Sequence, residues 1–305
     1  MSVYSLMGYK VLFLALSKYG KGFWLRYTTL QGLYKRYSAS WITVFGYGRP
    51  RGFMVKVGEE FKISDKSVSN SQTLFSLKDE ESSAMIKDYE WFLEFKKGGK
   101  LYISIPLLYR LIRRKSKYAI VEPNTTFKGI VRLRGEEFGI ELFQGMIGYI
   151  SGDRYLDHWL WYHCSGFEED MNGWVDILVA SPNGKQKVLF GLLKYNKSII
   201  HIGRLIGIPY KGELELGKFN TSIDARGYRI TLDVTASKDN MIVAKYEDPL
   251  GGVRYCHNTE IADSTLTLEG NGKKIKLTCN KRAFYEYALA RKIDENLPEV
   301  QEVDV

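Results

Sequence analysis

The sequence predicts an all-β protein made of two tandem antiparallel β-barrels related by internal duplication, with little helix. Three observations lead there: a repeat at a fixed offset, an aromatic content of 14%, and short apolar segments broken by turn residues. Phe23-Trp24-Leu25-Arg26-Tyr27-Thr28 returns 135 residues later as His158-Trp159-Leu160-Trp161-Tyr162-His163. Trp41-Ile42-Thr43-Val44-Phe45 is answered by Trp174-Val175-Asp176-Ile177-Leu178. Phe53–Val57 and Val188–Leu192 each begin 29 residues after Trp24 or Trp159. Asn124-Thr125-Thr126 and Asn258-Thr259-Glu260 lie 100 and 99 residues after those tryptophans. Repeats on this scale decide architecture before any single motif does. They divide the chain into halves at 1–150 and 151–293, each of ordinary domain size. An acidic tail, 294–305, follows and is expected to fray.

The elements follow in order. Val11–Leu16 is apolar but too short to span a bilayer. Ser17-Lys18-Tyr19 is a poor signal-peptide cleavage site, so the run reads as a buried strand. The repeated tryptophan segments are the next strands. Tyr89–Phe95 and Leu101–Ile105, separated by Lys97-Gly98-Gly99-Lys100, have a hairpin signature. Gly227–Val234 with Met241–Ala244, and Leu266–Glu269 with Lys274–Leu277, have it too. Each half thus supplies roughly eight strands, and sequential hairpins hide their edges by closing into a barrel wide enough for one small ligand. Residues 106–118 break the pattern: Leu107, Leu108, Leu111 and Ile112 have helical spacing among five basic residues. This segment reads as a capping helix, or as a helix that touches a membrane surface.

Composition narrows the function classes. The chain is 45% hydrophobic and 26% charged, as in a folded soluble protein. Its richness in Lys, Glu and Ile leans toward a thermophilic source. Three cysteines in 305 residues suggest free thiols in a reducing, cytoplasmic setting rather than a disulfide scaffold. The net charge is +9, and residues 1–58 carry nine Lys/Arg and no Asp/Glu. That field is either a solvated basic face or one that favours acidic partners, such as a peripheral contact with anionic membrane or a nucleic acid. No nucleic-acid motif accompanies it, so no nucleic-acid partner is expected. Phosphate-loop and nucleophile-elbow motifs are absent, which argues against a nucleotide cofactor or a serine hydrolase.

The second tryptophan strand is the better candidate for a site. Period-two alternation puts Trp159, Trp161 and His163 on one face, and His158, Leu160, Tyr162 and Cys164 on the other. If the first set faces the barrel interior, the cavity is aromatic and suits an apolar, unsaturated ligand. His163 is then a proton relay or a hydrogen-bonded core histidine. Asp157, just ahead of this strand, is the candidate acid, because a carboxyl buried among aromatic rings holds its proton toward neutral pH. Trp159, Trp161 and Tyr162 are the candidate cavity walls. Trp24 and Arg26 are their counterparts in the first half, with Arg26 either an ion-pair partner or an anion site. Glu260, in the repeated Asn-Thr segment, is a further candidate ligand contact. His163, Cys164, Cys256 and His257 lack the spacing of a zinc finger or hydrolase, so no metal is assigned.

Several of these segments resemble a known family. Phe23–Thr28, Trp159-x-Trp161-x-His163-Cys164-x-x-Phe167, and Tyr255–Ala262 followed by Ala283-x-x-Glu286 are similar to motifs of carotenoid 1,2-hydratase (hydroxyneurosporene synthase) and tocopherol cyclase. The similarity spans residues 9–290. It implies two lipocalin-like barrels, an isoprenoid- or lipid-like ligand and cofactor-independent chemistry, in which an acid protonates a C=C bond and water or an internal hydroxyl captures the cation. One departure stands out: Tyr149–Tyr155 lacks the Glu-x-Asn-Trp-Gly-like setting in which family enzymes often carry an acid. The function expected is therefore binding of a hydrophobic small molecule in a barrel cavity, with hydratase or cyclase activity. The alternative is a non-catalytic lipid carrier or membrane-surface scaffold.

Overall fold

The structure, a computed structural model, describes residues 7–304 apart from 58–60, 71–74, 87, 99, 113–115, 182–185 and 271. The first strands are β1 (Gly8–Lys18), β2 (Lys21–Gln31), β3 (Arg36–Phe45), β4 (Arg51–Val57), β5 (Lys62–Ile63), β6 (Val68–Ser69), β7 (Phe75–Lys78), β8 (Glu81–Ile86) and β9 (Tyr89–Phe95). A short helix, α1 (Leu107–Ile112), precedes two long strands, β10 (Lys117–Leu133) and β11 (Glu136–Gly152). The second half holds β12 (His158–Ser165), β13 (Trp174–Ser181), β14 (Val188–Tyr195), β15 (Ser198–Ile202), β16 (Ile208–Pro209), β17 (Lys218–Ala225) and β18 (Tyr228–Thr235). It ends with β19 (Ile242–Glu247), β20 (Val253–Gly270), β21 (Lys273–Leu289) and β22 (Gln301–Asp304).

These strands form two sheets. The first runs β22-β4-β3-β2-β1-β11-β10-β9-β8-β7-β6-β5. The second runs β15-β14-β13-β12-β21-β20-β18-β17, with β16 on β14 and β19 on β20. Each repeated segment lands on a corresponding strand: β2 and β12, β3 and β13, β4 and β14, β10 and β20.

Only one of the two expected barrels closes. The second sheet curls until β15 meets β17 and completes an antiparallel barrel. The first stays open. β5 folds over β1 and β2 rather than joining the far end of its sheet. The edge of β4 that closure would use is taken by β22, which adds in parallel, Gln301 opposite Phe53 through Asp304 opposite Lys56. The tail expected to fray is therefore a strand. Lys56 ion-pairs Glu302 at 2.6 Å beside it, and Val300 N–H donates to the Val243 carbonyl at 2.9 Å.

Two expected hairpins are also corrected. Residues 101–105 form no strand against β9, which pairs with β8 and β10 instead. Tyr102 makes one bridge to Ile120, and its ring packs edge-on to Trp174. Apolar side chains of this segment join the core between the sheets, which outweighs local pairing. β18 and β19 do not pair with each other: they lie along different parts of the same long strand, β20, at residues 263–269 and 253–258. The β20–β21 hairpin forms as expected. Helix α1 spans six residues, and Arg113, Arg114 and Lys115 of the predicted segment lie outside the described residues. Among the described residues no helix is long and apolar enough to cross a membrane.

Among the described residues there are three apolar cores. One fills the concave side of the first sheet, around Leu12, Leu14, Leu25 and Tyr27. One fills the barrel, around Leu160, Tyr162 and Cys164. The third lies between the two sheets and includes Phe13, Trp24, Trp41, Trp159, Trp161, Trp174 and Tyr246. β2 and β12 are therefore buried on both faces, which explains why they read as nearly unbroken apolar runs.

Candidate functional site

Alternation along β2 and β12 has the predicted period, but the faces point elsewhere. Trp24 and Arg26 on β2, and Trp159 and Trp161 on β12, turn outward from their own sheets and toward each other. Between them lies a cavity of about 170 Å³. It is an inter-sheet cavity; the barrel interior is filled by side chains. Tyr162 belongs to that filling and hydrogen-bonds Ser264 at 2.8 Å, away from the cavity. The first sheet contributes Val11, Phe13, Trp24 and Arg26, and the barrel contributes Trp159, Trp161, Leu178, Phe190, Tyr246 and Glu286.

Aromatic rings form a ladder along one wall. Tyr9 stacks on Tyr155 at 4.0 Å, Tyr155 on Trp159 at 6.1 Å, and Trp159 on Tyr246 at 6.1 Å. Phe13 meets Trp161 edge-on at 5.7 Å. Phe13 can lie flat against β11 because residue 148 is glycine: a Cβ there would come within 2.3 Å of the ring.

Two buried charged side chains, Arg26 and Glu286, interrupt this apolar lining, and Lys117 and Arg154 also border it. The Arg26 guanidinium sits 4.0 Å from the Trp41 ring, 4.2 Å from Trp24 and 4.5 Å from Tyr246. It has no ion-pair partner among the described residues, and its Nε is buried without an acceptor. Cation–π contact is worth up to about 2 kcal/mol per ring when water is excluded, which offsets part of the cost of burying the charge. Glu286, on β21, is the carboxyl of the cavity. It accepts a hydrogen bond from Trp159 Nε1 at 3.2 Å. Burial raises its pKa above the ordinary value of 4.5, against the opposing pull of the Trp159 hydrogen bond and the Arg26 charge. It can therefore carry a proton at higher pH than a solvated carboxyl.

Asp157 is not part of the cavity lining. It is half-exposed and ion-pairs Arg254 at 2.9 Å outside the cavity. Asp157 directly precedes β12 in sequence, but its side chain turns to Arg254 instead of the cavity. Glu286 arrives from 127 residues away through the β12–β21 ladder, in which it is the direct partner of Trp161. The signal that could have found it was the Ala283-x-x-Glu286 motif, quoted for the resemblance but not used to choose an acid. Glu260 is fully buried outside the cavity lining. It accepts from Asn258 Nδ2 at 3.1 Å, and burial holds its pKa well above the usual carboxylate range.

His163 is also fully buried, behind Trp161. Its Nδ1 lies 3.1 Å from Asp176 Oδ2, and its Nε2 lies 2.9 Å from both the Pro123 carbonyl and Ser165 Oγ. The same Asp176 oxygen accepts from Trp161 Nε1 at 2.9 Å and from Tyr118 Oη at 2.7 Å. Three groups converge on one carboxylate oxygen while Asp176 Oδ1 has no partner. Trp161 and Tyr118 line the cavity, so this network fixes two of its walls from behind. Relative to the first half, Trp161, His163 and Asp176 stand where Arg26, Thr28 and Thr43 stand. His163 and Cys164 face opposite sides of β12, and no cluster of three His, Cys, Asp or Glu suited to a metal occurs among the described residues.

Comparison with protein-family profiles and with curated proteins yields no match. Among solved structures, CghA is similar over 94% of this chain and 90% of its own, with a TM-score of 0.61 at 10% identity. The chain shares the fold of CghA. CghA with Sch210972 is similar over 93% and 89%, with a TM-score of 0.58 at 11% identity. Kievitone hydratase from Nectria haematococca is similar over 94% and 90%, with a TM-score of 0.49 at 9% identity.

Proposed function

We propose that this protein binds a hydrophobic, isoprenoid- or lipid-like molecule between its two sheets and acts on a C=C bond by proton donation, without a cofactor. The observation that carries the reading is Glu286: a buried carboxyl, its pKa raised by burial, in a cavity whose lining is mostly aromatic and aliphatic. The fold shared with CghA, which has been crystallised with Sch210972, supports a small-molecule ligand.

The chemistry balances within the site. The Glu286 O–H proton adds to one alkene carbon, the π electrons form the new C–H bond, and positive charge develops on the other carbon. The faces of Trp159 and Tyr155 stabilise that charge. Water or a hydroxyl of the same molecule adds to the cation and returns a proton to the Glu286 carboxylate. The outcome is hydration or cyclisation. Arg26 cannot sit beside the developing cation without repelling it. It instead holds the oxygen-bearing end of the ligand, by charge-assisted hydrogen bonds from its terminal nitrogens. An anionic group there cancels the Arg26 field at Glu286 and strengthens the hold of that carboxyl on its proton.

Incubation with polyprenyl lipids followed by mass spectrometry tests the reading. A mass gain of one water, or an isomeric cyclised product, is expected with the wild type and is lost with Glu286→Gln, while Asp157→Asn keeps full turnover. Turnover that survives Glu286→Gln removes Glu286 as the acid. Recovery of bound but unaltered lipid favours the carrier reading.

A further inference from the structure

Five of the exposed large apolar side chains gather at one place. Leu107, Leu108 and Leu111 on α1 are 43%, 46% and 58% exposed, and Leu205 and Ile206 on the loop after β15 are 65% and 61% exposed. The two segments are locked together by main-chain hydrogen bonds. Leu107 N–H donates to the Arg204 carbonyl at 3.0 Å, and Leu108 N–H donates to the Leu205 carbonyl at 3.1 Å. The loop thereby satisfies donors at the start of α1 that the helix cannot satisfy itself. The result is a single apolar platform built from both halves of the chain. Isolated exposed leucines need no explanation, but a contiguous group does.

Two further features say what covers it. Arg110 and Arg204 are exposed within the platform, and neither has a carboxylate partner among the described residues. Arg154, also exposed, stands at the rim of the cavity. The platform is also one wall of the cavity mouth. Tyr109 lies between Leu108 and Arg110 on α1 and lines the cavity, as do Ile105 just before the helix and Lys117 after it. Apolar side chains beside unpaired guanidinium groups match an anionic lipid surface: the leucines enter the acyl boundary and the arginines meet the headgroups.

We propose that the α1–Leu205–Ile206 platform docks on anionic bilayers and presents the cavity mouth to the membrane, so that an apolar ligand passes between bilayer and cavity without crossing water. The docking surface stands on its own geometry; the passage of ligand rests on the cavity reading above.

Vesicle flotation separates the two. The 305-residue chain is mixed with phosphatidylcholine vesicles, alone or with phosphatidylglycerol, at low and high salt. Binding is expected to phosphatidylglycerol vesicles at low salt and to fall as salt screens the arginines. Leu108→Asp/Leu205→Asp is expected to lower partitioning more than about tenfold. Arg110→Gln/Arg204→Gln should lower it roughly thirtyfold, from about 1 kcal/mol for each charge. All four side chains are exposed, so circular dichroism should show an unchanged fold. Quenching of cavity tryptophan fluorescence by a soluble short-chain prenol, measured without vesicles, should be the same in both variants and the wild type. Vesicle binding unaffected by either variant overturns the proposal. So does a platform-dependent dimer, seen by light scattering, that does not float with vesicles. Loss of prenol quenching in the wild type, with flotation intact, refutes the cavity reading and leaves the docking surface standing.

Discussion

Glu286→Gln isolates the cost of burying the cavity carboxyl. In the unfolded chain this group titrates near 4.5; in the folded protein burial raises its pKa. Between those two pH values the native state binds the extra proton. Wherever the native state binds more protons than the unfolded state, stability falls as pH rises. The contribution of Glu286 is thus fully favourable below about pH 4.5 and is lost as pH climbs through the folded pKa. Across that window one group changes stability by about 1.4 kcal/mol per pH unit at most. Glutamine keeps the shape and can accept the Trp159 Nε1 hydrogen bond, but it does not titrate. Urea unfolding of wild type and variant from pH 4 to pH 8 should therefore give a stability difference that moves toward the variant as pH rises from 4.5, then levels off. Subtraction cancels other titrating groups such as Asp65, whose pKa Lys117 lowers, provided they do not couple to position 286. Repeating the comparison in an Arg26→Met background should extend the window upward, because the guanidinium opposes the shift. A difference constant across the range would refute the claim that Glu286 carries a raised pKa, and with it the acid assigned above.

Three other outcomes are expected. Asp176→Ala leaves Tyr118 Oη, Trp161 Nε1 and His163 Nδ1 without their shared acceptor; at about 1 kcal/mol or more for each buried orphan, urea unfolding should show a loss of roughly 3 kcal/mol, and a loss below about 1 kcal/mol would mean that the network is not holding the wall. Gly148→Ala places a methyl within 2.3 Å of the Phe13 ring; the ring must move into the cavity, destabilising the fold by about 1–3 kcal/mol and weakening prenol quenching, whereas an unchanged melting temperature and affinity would contradict that packing. Truncation after Val300 removes β22 and bares the β4 edge; size-exclusion chromatography should show self-association through that edge, and a monomer as stable as the full chain would show that β22 adds nothing.

How far the sequence reaches can be read from β2 and β12. Their composition and spacing were enough to predict all-β structure, to match the strands of the two halves, and to place Trp159, Trp161 and His163 on one face and Tyr162 on the other. These are local properties: alternation has a period of two whatever the strand packs against. Which face meets the ligand is not local. Both faces of β12 are apolar, so the pattern could not tell barrel interior from inter-sheet surface, and the cavity was expected on the wrong side of the strand. The same limit hid Glu286, which reaches Trp159 only through the β12–β21 ladder, and misplaced Asp157, which is near in sequence but turned toward Arg254. The open first sheet has a similar origin. Nothing in β4 announces that residues 301–304 will return from the far end of the chain to take its edge. The sequence by itself determined the all-β class, the matching strands of the two halves, their period of two and the aromatic character of the site. The tertiary structure decided which faces meet, which edge is capped and which carboxyl loses its water, because each depends on contacts between segments more than a hundred residues apart.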